Sequence, residues 1–350
     1  MKILHLIFSL NIGGAESMLV DIANYQAYNN DVYVYIINSE YNQILLNSFN
    51  SKVNIRLFNR KVNSKNLIKI IEINNAILQF NPEIIHCHDS NIINFLFVSY
   101  FYKTLLTVHD INLPLIGIKR YNKVIAISST VKKHLLNRKI ENISIVYNGI
   151  NISKIKCKTS RHSSDIFKII QVSRLDHLKK GQHILLEALY ILIHEYGIEN
   201  FHLDYVGEGN SLIFLRNLVT KYNLDNKVTF VGLKDRSYIY SNLMNYDLLV
   251  QPSIFEGFGL TVSEGLAAKI PVLVSANDGP MEIIQNGKYG FYFKKEDVND
   301  CAKQIKEIMS CPEKVNLIRE CAYKYCLSNF DISITAENYC KEYKIVIDNK

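Results

Sequence analysis

The chain has no tryptophan. It has no apolar run of the ~18–20 residues that a membrane-spanning helix needs, and the strongest stretch, Ile92–Phe101, is short and polar-flanked. The apolar start, Met1–Leu10, runs into Asn11-Ile-Gly-Gly-Ala-Glu16 without a small-residue cleavage pattern, so it reads as a buried strand and not as a leader. The seven cysteines follow no metal or disulfide spacing, and an odd number of scattered thiols suits a reducing cytoplasm. No Asp-x-Asp pair lies near the candidate phosphate loops, which points to chemistry without a metal or other cofactor. The glycines after the first strand do not form G-x-G-x-x-G, which weakens a dinucleotide reading. No nucleic-acid motif accompanies the basic charge.

What is present suits two α/β domains: 350 residues, 48% hydrophobic and 21% charged. The net charge of +7 is uneven. Residues 1–150 carry 15 Lys and Arg against 9 Asp and Glu, a net +6, whereas 151–350 carry 25 against 24. A basic first half suits an anionic membrane surface or a pyrophosphate-linked lipid.

Strand and helix patterns alternate twice, with near-continuous apolar strands, which predicts two doubly wound domains with parallel sheets. The first series runs from Lys2–Phe8 to Ser144–Val146 and includes a helix over Ile92–Tyr100. The second starts at Phe167–Val172. The polar stretch up to Asp165 is read as a linker. The expected domains are 1–148 and 149–329, with a helix over 330–350 returning to the first. In such sheets ligands bind at the carboxyl ends of the strands, and two facing domains are expected to enclose a central cleft.

The most informative string is Glu256-Gly-Phe258-Gly259-Leu260-Thr-Val-Ser-Glu264. It lies between the apolar segments Tyr246–Val250 and Val272–Ser275, so it reads as strand, glycine loop, helix, strand. A helix that starts beyond a glycine loop offers free N–H groups to an anion. Eight residues are ~2.2 helical turns, so the two carboxylates are expected to grip different parts of one elongated ligand. Ser173-Arg174-Leu-Asp-His-Leu-Lys-Lys180-Gly181 follows the first strand of the second series and brings two cations to a strand end. Lys179 is the register rival of Lys180. Gly13 and Gly14 open the first helix, where backbone N–H groups can cradle a phosphate. His86-Cys-His88-Asp89 places two histidines on one strand face, with a cleft-wall role preferred over zinc for His88.

The 256–264 string resembles the E-x7-E signature of family 4 retaining glycosyltransferases of the GT-B fold, and Arg174 with Lys180 resembles that family's R-x5-K clamp. The resemblance implies transfer of a sugar from a nucleotide-sugar, UDP-sugar favoured, with retained configuration. Glu256 and the Phe258–Leu260 backbone would hold the sugar, and Glu264 the ribose. Arg174 and Lys180 would stabilise the departing diphosphate, and Gly13 and Gly14 would face its phosphate. His109 would be a polar contact to the sugar. Gly207 would leave room for the nucleotide, and Leu233 would meet the base edge. Only 13 residues, Asp110–Asn122, separate His109 from the next strand, so the acceptor site is expected to be open or built from Lys61–Lys69 and Lys119–Lys123. The expected acceptor is an undecaprenyl-diphosphate-linked glycan for O-antigen or capsule, met at the inner face of a bacterial membrane. A soluble acceptor, or a non-catalytic nucleotide-sugar binder, are the alternatives.

Overall fold

The computed structural model describes residues 1–64, 66–111, 114–159 and 166–349. Lys65, Asn112 and Leu113 of the expected acceptor segments, and residues 160–165 of the linker, lie outside them. The described chain forms two compact units: Met1–Ile150 with Phe330–Lys350, and Asn151–Asn329.

Unit 1 is built on seven parallel strands. They are β1 (Lys2–Ile7), β2 (Asp31–Asn38), β3 (Val53–Arg60), β4 (Ile84–Cys87), β5 (Lys103–Val108), β6 (Lys123–Ala126) and β7 (Ile143–Ile145), in spatial order β3-β2-β1-β4-β5-β6-β7. The inner strands β1, β4 and β5 are buried along nearly their whole length, as a parallel sheet covered on both faces requires, while the edge strand β3 is exposed over much of its length. The chain leaves unit 1 at Ile150 and rejoins it there: Ile150 N–H donates to Phe330 O at 2.8 Å, and Ile332 N–H to Ile150 O at 3.0 Å. Asp331 caps the final helix, Ile332–Asp348, by accepting from Ser333 N–H. That helix buries Thr335, Tyr339 and Tyr343, one turn apart, beside the first helix, Gly14–Gln26.

Unit 2 has six parallel strands: β8 (Phe167–Val172), β9 (Phe201–Val206), β10 (Val228–Gly232), β11 (Leu248–Gln251), β12 (Val272–Ser275) and β13 (Phe291–Phe293). Their order, β10-β9-β8-β11-β12-β13, repeats the plan of unit 1. Leu185, Leu189, Leu203, Tyr205, Leu248 and Phe293 fill the core. In both sheets the winding reverses at the centre, between β1 and β4 and between β8 and β11. The crevice beyond such a reversal is where ligands bind in open α/β sheets.

The expected helix over Ile92–Tyr100 is not an α-helix. It is two 3₁₀ segments, Ser90–Phe95 and Phe97–Tyr100. Side chains from elsewhere take the backbone groups that an α-helix would pair internally. Val98 N–H donates to Asn74 Oδ1, Phe95 O accepts from Asn74 Nδ2, and Ile93 N–H donates to the Tyr121 hydroxyl.

Candidate functional site

In unit 2 the loops after β8 and β11 meet at the reversal point. Lys180 Nζ donates to Glu256 Oε2 at 2.6 Å. The same oxygen accepts from Gln251 Nε2 at 3.2 Å and Ser253 Oγ at 3.3 Å. Three donors on one half-buried carboxylate oxygen hold the Glu256 side chain in place. Lys180 and Glu256, read separately from the sequence, thus stand as a direct pair. Lys180 ends a short helix, His177–Lys180, and is not in a loop. The next residue, Gly181, has φ +65°, and a Cβ there would strike the carbonyl oxygen of Pro252. That close approach between the two loops requires glycine. Lys179, the register rival, contributes its carbonyl oxygen to the β11 loop, accepting from Ile254 N–H at 2.9 Å and Phe255 N–H at 3.3 Å.

Arg174 is exposed, and among the described residues its guanidinium has no hydrogen bond or ion pair. Its carbonyl is held by Gln182 Nε2 at 2.8 Å. The cation pair therefore consists of one free guanidinium and one ammonium seated on a carboxylate.

Gly259, φ +107°, precedes the helix Leu260–Ala267, whose first turn has no side-chain cap. The first N–H groups of such a helix have no intrahelical acceptor, and its dipole favours an anion at that end. Phe258 is buried and anchors that loop. A Cβ at Gly279 would lie 2.7 Å from Phe258 N, so the segment after β12 packs on the glycine loop. Glu264 is buried further along the helix, with Oε1 3.7 Å from Arg236 Nε. Leu233 is exposed at the end of β10. Gly207, φ +139°, also has a packing reason to be glycine. A Cβ there would meet the carbonyl oxygen of Ser173, so the glycine lets the β8 and β9 loops touch.

In unit 1, Gly13 has φ −166°, an extended angle open to any residue, and it precedes the helix beginning at Gly14. The Glu16 carboxylate folds back over Gly13, where an anion at this helix end would be favoured.

His109 does not stand alone. His5 and His86 are in-register neighbours on β1 and β4, and His88 follows at the end of β4. His5 Nε2 meets Gln26 Oε1 at 2.9 Å, His5 Nδ1 meets His88 Nε2 at 3.2 Å, and His88 Nδ1 meets His109 Nε2 at 3.3 Å. His86 bonds the Tyr343 hydroxyl and Thr107 Oγ1, both at 2.7 Å. Ligand atoms of His5, His86 and His88 lie within 4.8 Å of one another, a metal-like distance. Every ring nitrogen of the three is nevertheless engaged in a hydrogen bond, which a cation would have to displace. Burial pulls His5 and His109 down to about 4 and His86 and His88 well below the usual imidazole range. The cluster is therefore neutral at pH 7.

Neutral rings in a chain must alternate donor and acceptor. The phenol of Tyr343 is a stronger acid than imidazole, so it donates to His86 Nδ1. Its oxygen then accepts from Gln26 Nε2 at 3.3 Å. That turns the Gln26 carbonyl toward His5, which donates through Nε2. His88 donates to His5, and His109 to His88. His109 is left with an unprotonated Nδ1, buried and without a partner among the described residues.

Sequence reasoning missed His5, Gln26, Arg236, Gln251 and Ser253. The signals were faint: His5 alternates with Ile3 and Ile7 in the first strand, and Gln251-Pro-Ser253 reads only as a strand break.

Residues 154–325 match the family described as glycosyl transferases group 1, and residues 12–154 match Glycosyltransferase Family 4. An uncharacterized glycosyltransferase of Methanocaldococcus jannaschii is 26% identical over 235 residues, 66% of this chain and 60% of that protein. The glycosyltransferase EpsD of Bacillus subtilis, itself described as putative, is 30% identical over 53% of this chain and 47% of its own. A sucrose synthase of Melioribacter roseus is 33% identical over 41% of this chain and 20% of its own length. The chain thus spans only 20% to 60% of these curated relatives. Among solved structures, a Rickettsia africae glycosyltransferase aligns with TM-score 0.84 at 23% identity, covering 99% of both chains. Anabaena HepE, solved in complex with UDP, aligns with TM-score 0.84 at 20% identity, covering 99% of this chain and 100% of its own. At these identities the likeness concerns the fold.

Proposed function

The chain belongs to the group 1 glycosyltransferases and has two Rossmann-like units of the GT-B plan, and from that premise we propose that it is a retaining, metal-independent glycosyltransferase. The observation that carries this reading is the reversal point of unit 2. Free Arg174, the Lys180–Glu256 pair and an uncapped helix start follow neighbouring strands there. This arrangement suits a nucleoside diphosphate joined to a sugar.

In the proposed reaction the bond from the anomeric carbon to the phosphate oxygen breaks, and the diphosphate leaves with the electron pair. The acceptor hydroxyl attacks from the same side. Its oxygen bonds the anomeric carbon, and its proton passes to the departing phosphate oxygen. No side-chain base is needed. Arg174 offers two donors to the charge growing on the diphosphate, and Lys180 a point charge. Glu256 and the Phe258–Leu260 backbone orient the sugar. Glu264, seated against Arg236, takes the ribose hydroxyls, and Leu233 borders the base. Gly207 supports the β8 loop. On unit 1, Gly13 and Gly14 are proposed for the phosphate and His109 Nδ1 for a sugar hydroxyl.

UDP-sugar is the proposed donor, supported by the UDP that HepE holds. The proposed acceptor is a glycan on undecaprenyl diphosphate at the inner face of the membrane. The test uses UDP-, GDP- and ADP-hexoses, with lipid-linked and soluble acceptors, in EDTA. Transfer from a UDP-sugar with retained configuration by NMR is expected. Inverted product, or activity only with added Mg²⁺ or Mn²⁺, would reject the mechanism. Binding without transfer to any acceptor would favour a non-catalytic binder.

A further inference from the structure

Among the described residues of unit 1, exposed large apolar side chains are scattered over several elements and concentrated in two neighbouring segments. Leu67, Ile71 and Leu78 are 64%, 51% and 50% exposed on the helix Leu67–Phe80. At 100° per residue they fall within one narrow stripe. That stripe flanks Asn74, whose side chain fastens the helix to Phe95 O and Val98 N. The fastened segment continues into the turn where Phe97, Tyr100 and Phe101 are 56%, 83% and 82% exposed. Single exposed apolar residues are ordinary, whereas a run of them on adjoining elements is an interaction surface.

Cations border this surface. Arg120 lies over the Tyr100 ring at 5.9 Å and donates to Asn94 Oδ1 at 3.1 Å and Ser99 Oγ at 3.4 Å. Lys119 beside it is exposed. Lys123 is excluded from the surface, because its side chain is only 14% exposed and its ammonium bonds Asn142 Oδ1 at 2.9 Å. Apolar and aromatic side chains edged by Lys and Arg match the boundary of an anionic bilayer, where rings enter the headgroup layer and cations meet lipid phosphates. No helix among the described residues is long and apolar enough to cross a membrane, so contact there would be lateral.

We propose that the Leu67–Leu78 stripe and the Phe97–Phe101 turn form a membrane-docking face for anionic lipid. The proposal rests on the lipid-linked acceptor reading and gives it a location. It differs from a simple charge effect, because apolar contact survives salt and charge attraction does not.

The test is cosedimentation of the full chain with vesicles of phosphatidylglycerol and phosphatidylethanolamine, against phosphatidylcholine vesicles. The parent is expected to bind the anionic vesicles and to keep part of that binding at high salt. Phe97→Ser/Tyr100→Ser/Phe101→Ser is expected to lower partitioning at least tenfold and to remove the salt-resistant part. Lys119→Glu/Arg120→Glu is expected to remove the salt-sensitive part. All these residues are exposed, and circular dichroism checks the fold. A parent that ignores anionic vesicles at low salt would overturn the proposal, as would unchanged binding by the aromatic variant. Sedimentation velocity gives a third outcome: a parent dimer that the aromatic variant converts to monomer, with vesicle binding unchanged, would assign the face to a second copy. Vesicle binding without sugar transfer would leave the docking face standing and reject the transferase reading instead.

Discussion

The two units share one strand plan and treat its reversal point in opposite ways. In unit 2 the point carries charged residue types near solvent: Arg174 is exposed, and Lys180 and Glu256 form a half-buried pair. In unit 1 its imidazoles are neutral: His5, His88 and His109 hold one another and Gln26 in a chain, and His86 joins it through the Tyr343 hydroxyl. Both are consistent with the cost of burying charge. Unit 2 keeps its cations within reach of solvent, as the proposed diphosphate role requires. Unit 1 buries its histidines and therefore keeps them uncharged, beside an Asp89 carboxyl group that accepts from Phe8 N–H. The same topology thus carries an electrostatic site in one unit and a directional hydrogen-bond chain in the other.

The largest effect that would break this contrast is on turnover. Arg174→Ala and Lys180→Ala are expected to lower turnover about 10²–10³-fold each, since a preorganised charge acts most strongly in the transition state. Arg174→Ala should keep a melting temperature close to the parent's, whereas Lys180→Ala also strips Glu256 of its closest donor and should lower it. Lys179→Ala should do much less, because its spacing from Arg174 misses the R-x5-K register, and the substitution keeps its carbonyl bonds to Ile254 and Phe255 N–H. Near-parental turnover in both clamp variants, measured with a matched donor and acceptor, would remove the electrostatic role.

The next effect separates the units by pH. Unfolded His5 takes up its proton near 6.5, whereas the folded ring resists until about 4. Between those values the unfolded state binds more protons, so stability is full above pH 6.5 and falls as pH drops toward 4. His5 alone accounts for about 3 kcal/mol over that window. His86, His88 and His109 act in the same direction. Hydrogen exchange at pH 7 and pH 4.5 should show β1, β4 and β5 losing protection before β8 and β11. The reverse order would contradict the neutral-cluster account.

Two glycines sharpen the comparison further. Gly181→Ala, at φ +65° against the Pro252 carbonyl, is expected to cost roughly 1–3 kcal/mol of stability by urea unfolding. Gly13→Ala meets only the flexible end of Glu16 at an extended backbone angle, and is expected to cost under about 1 kcal/mol. Equal costs would mean that the close approach between the β8 and β11 loops is not what demands glycine.

The smallest effect is spectroscopic. Two-bond ¹H–¹⁵N correlations should show neutral His109 protonated on Nε2 and bare on Nδ1. The Nδ1–H tautomer would mean that the Gln26–His5–His88 chain runs with opposite polarity.

The parallel sheets and the 256–264 string were legible because glycine loops between apolar strands are local patterns. Phe167–Val172 and Val272–Ser275 have the bounds read from sequence. What escaped was the partner of each polar group, because partners come from distant strands. Lys180 is 76 residues from Glu256, and His5 is 83 from His88. The 3₁₀ segments at 90–100 escaped for the same reason, since Asn74 and Tyr121 interrupt their hydrogen bonding from outside. The packing reason for Gly207 was also hidden, because the Ser173 carbonyl that fills its space belongs to another loop.

The most direct measurement is UDP binding by calorimetry at several salt concentrations, to the parent, to Arg174→Ala and to His88→Phe. The account predicts salt-sensitive binding by the parent, more than tenfold weaker binding by Arg174→Ala, and near-parental affinity for His88→Phe wherever it remains folded. Equal affinity in the parent and Arg174→Ala, or no affinity of the parent for UDP, GDP or ADP, would contradict it.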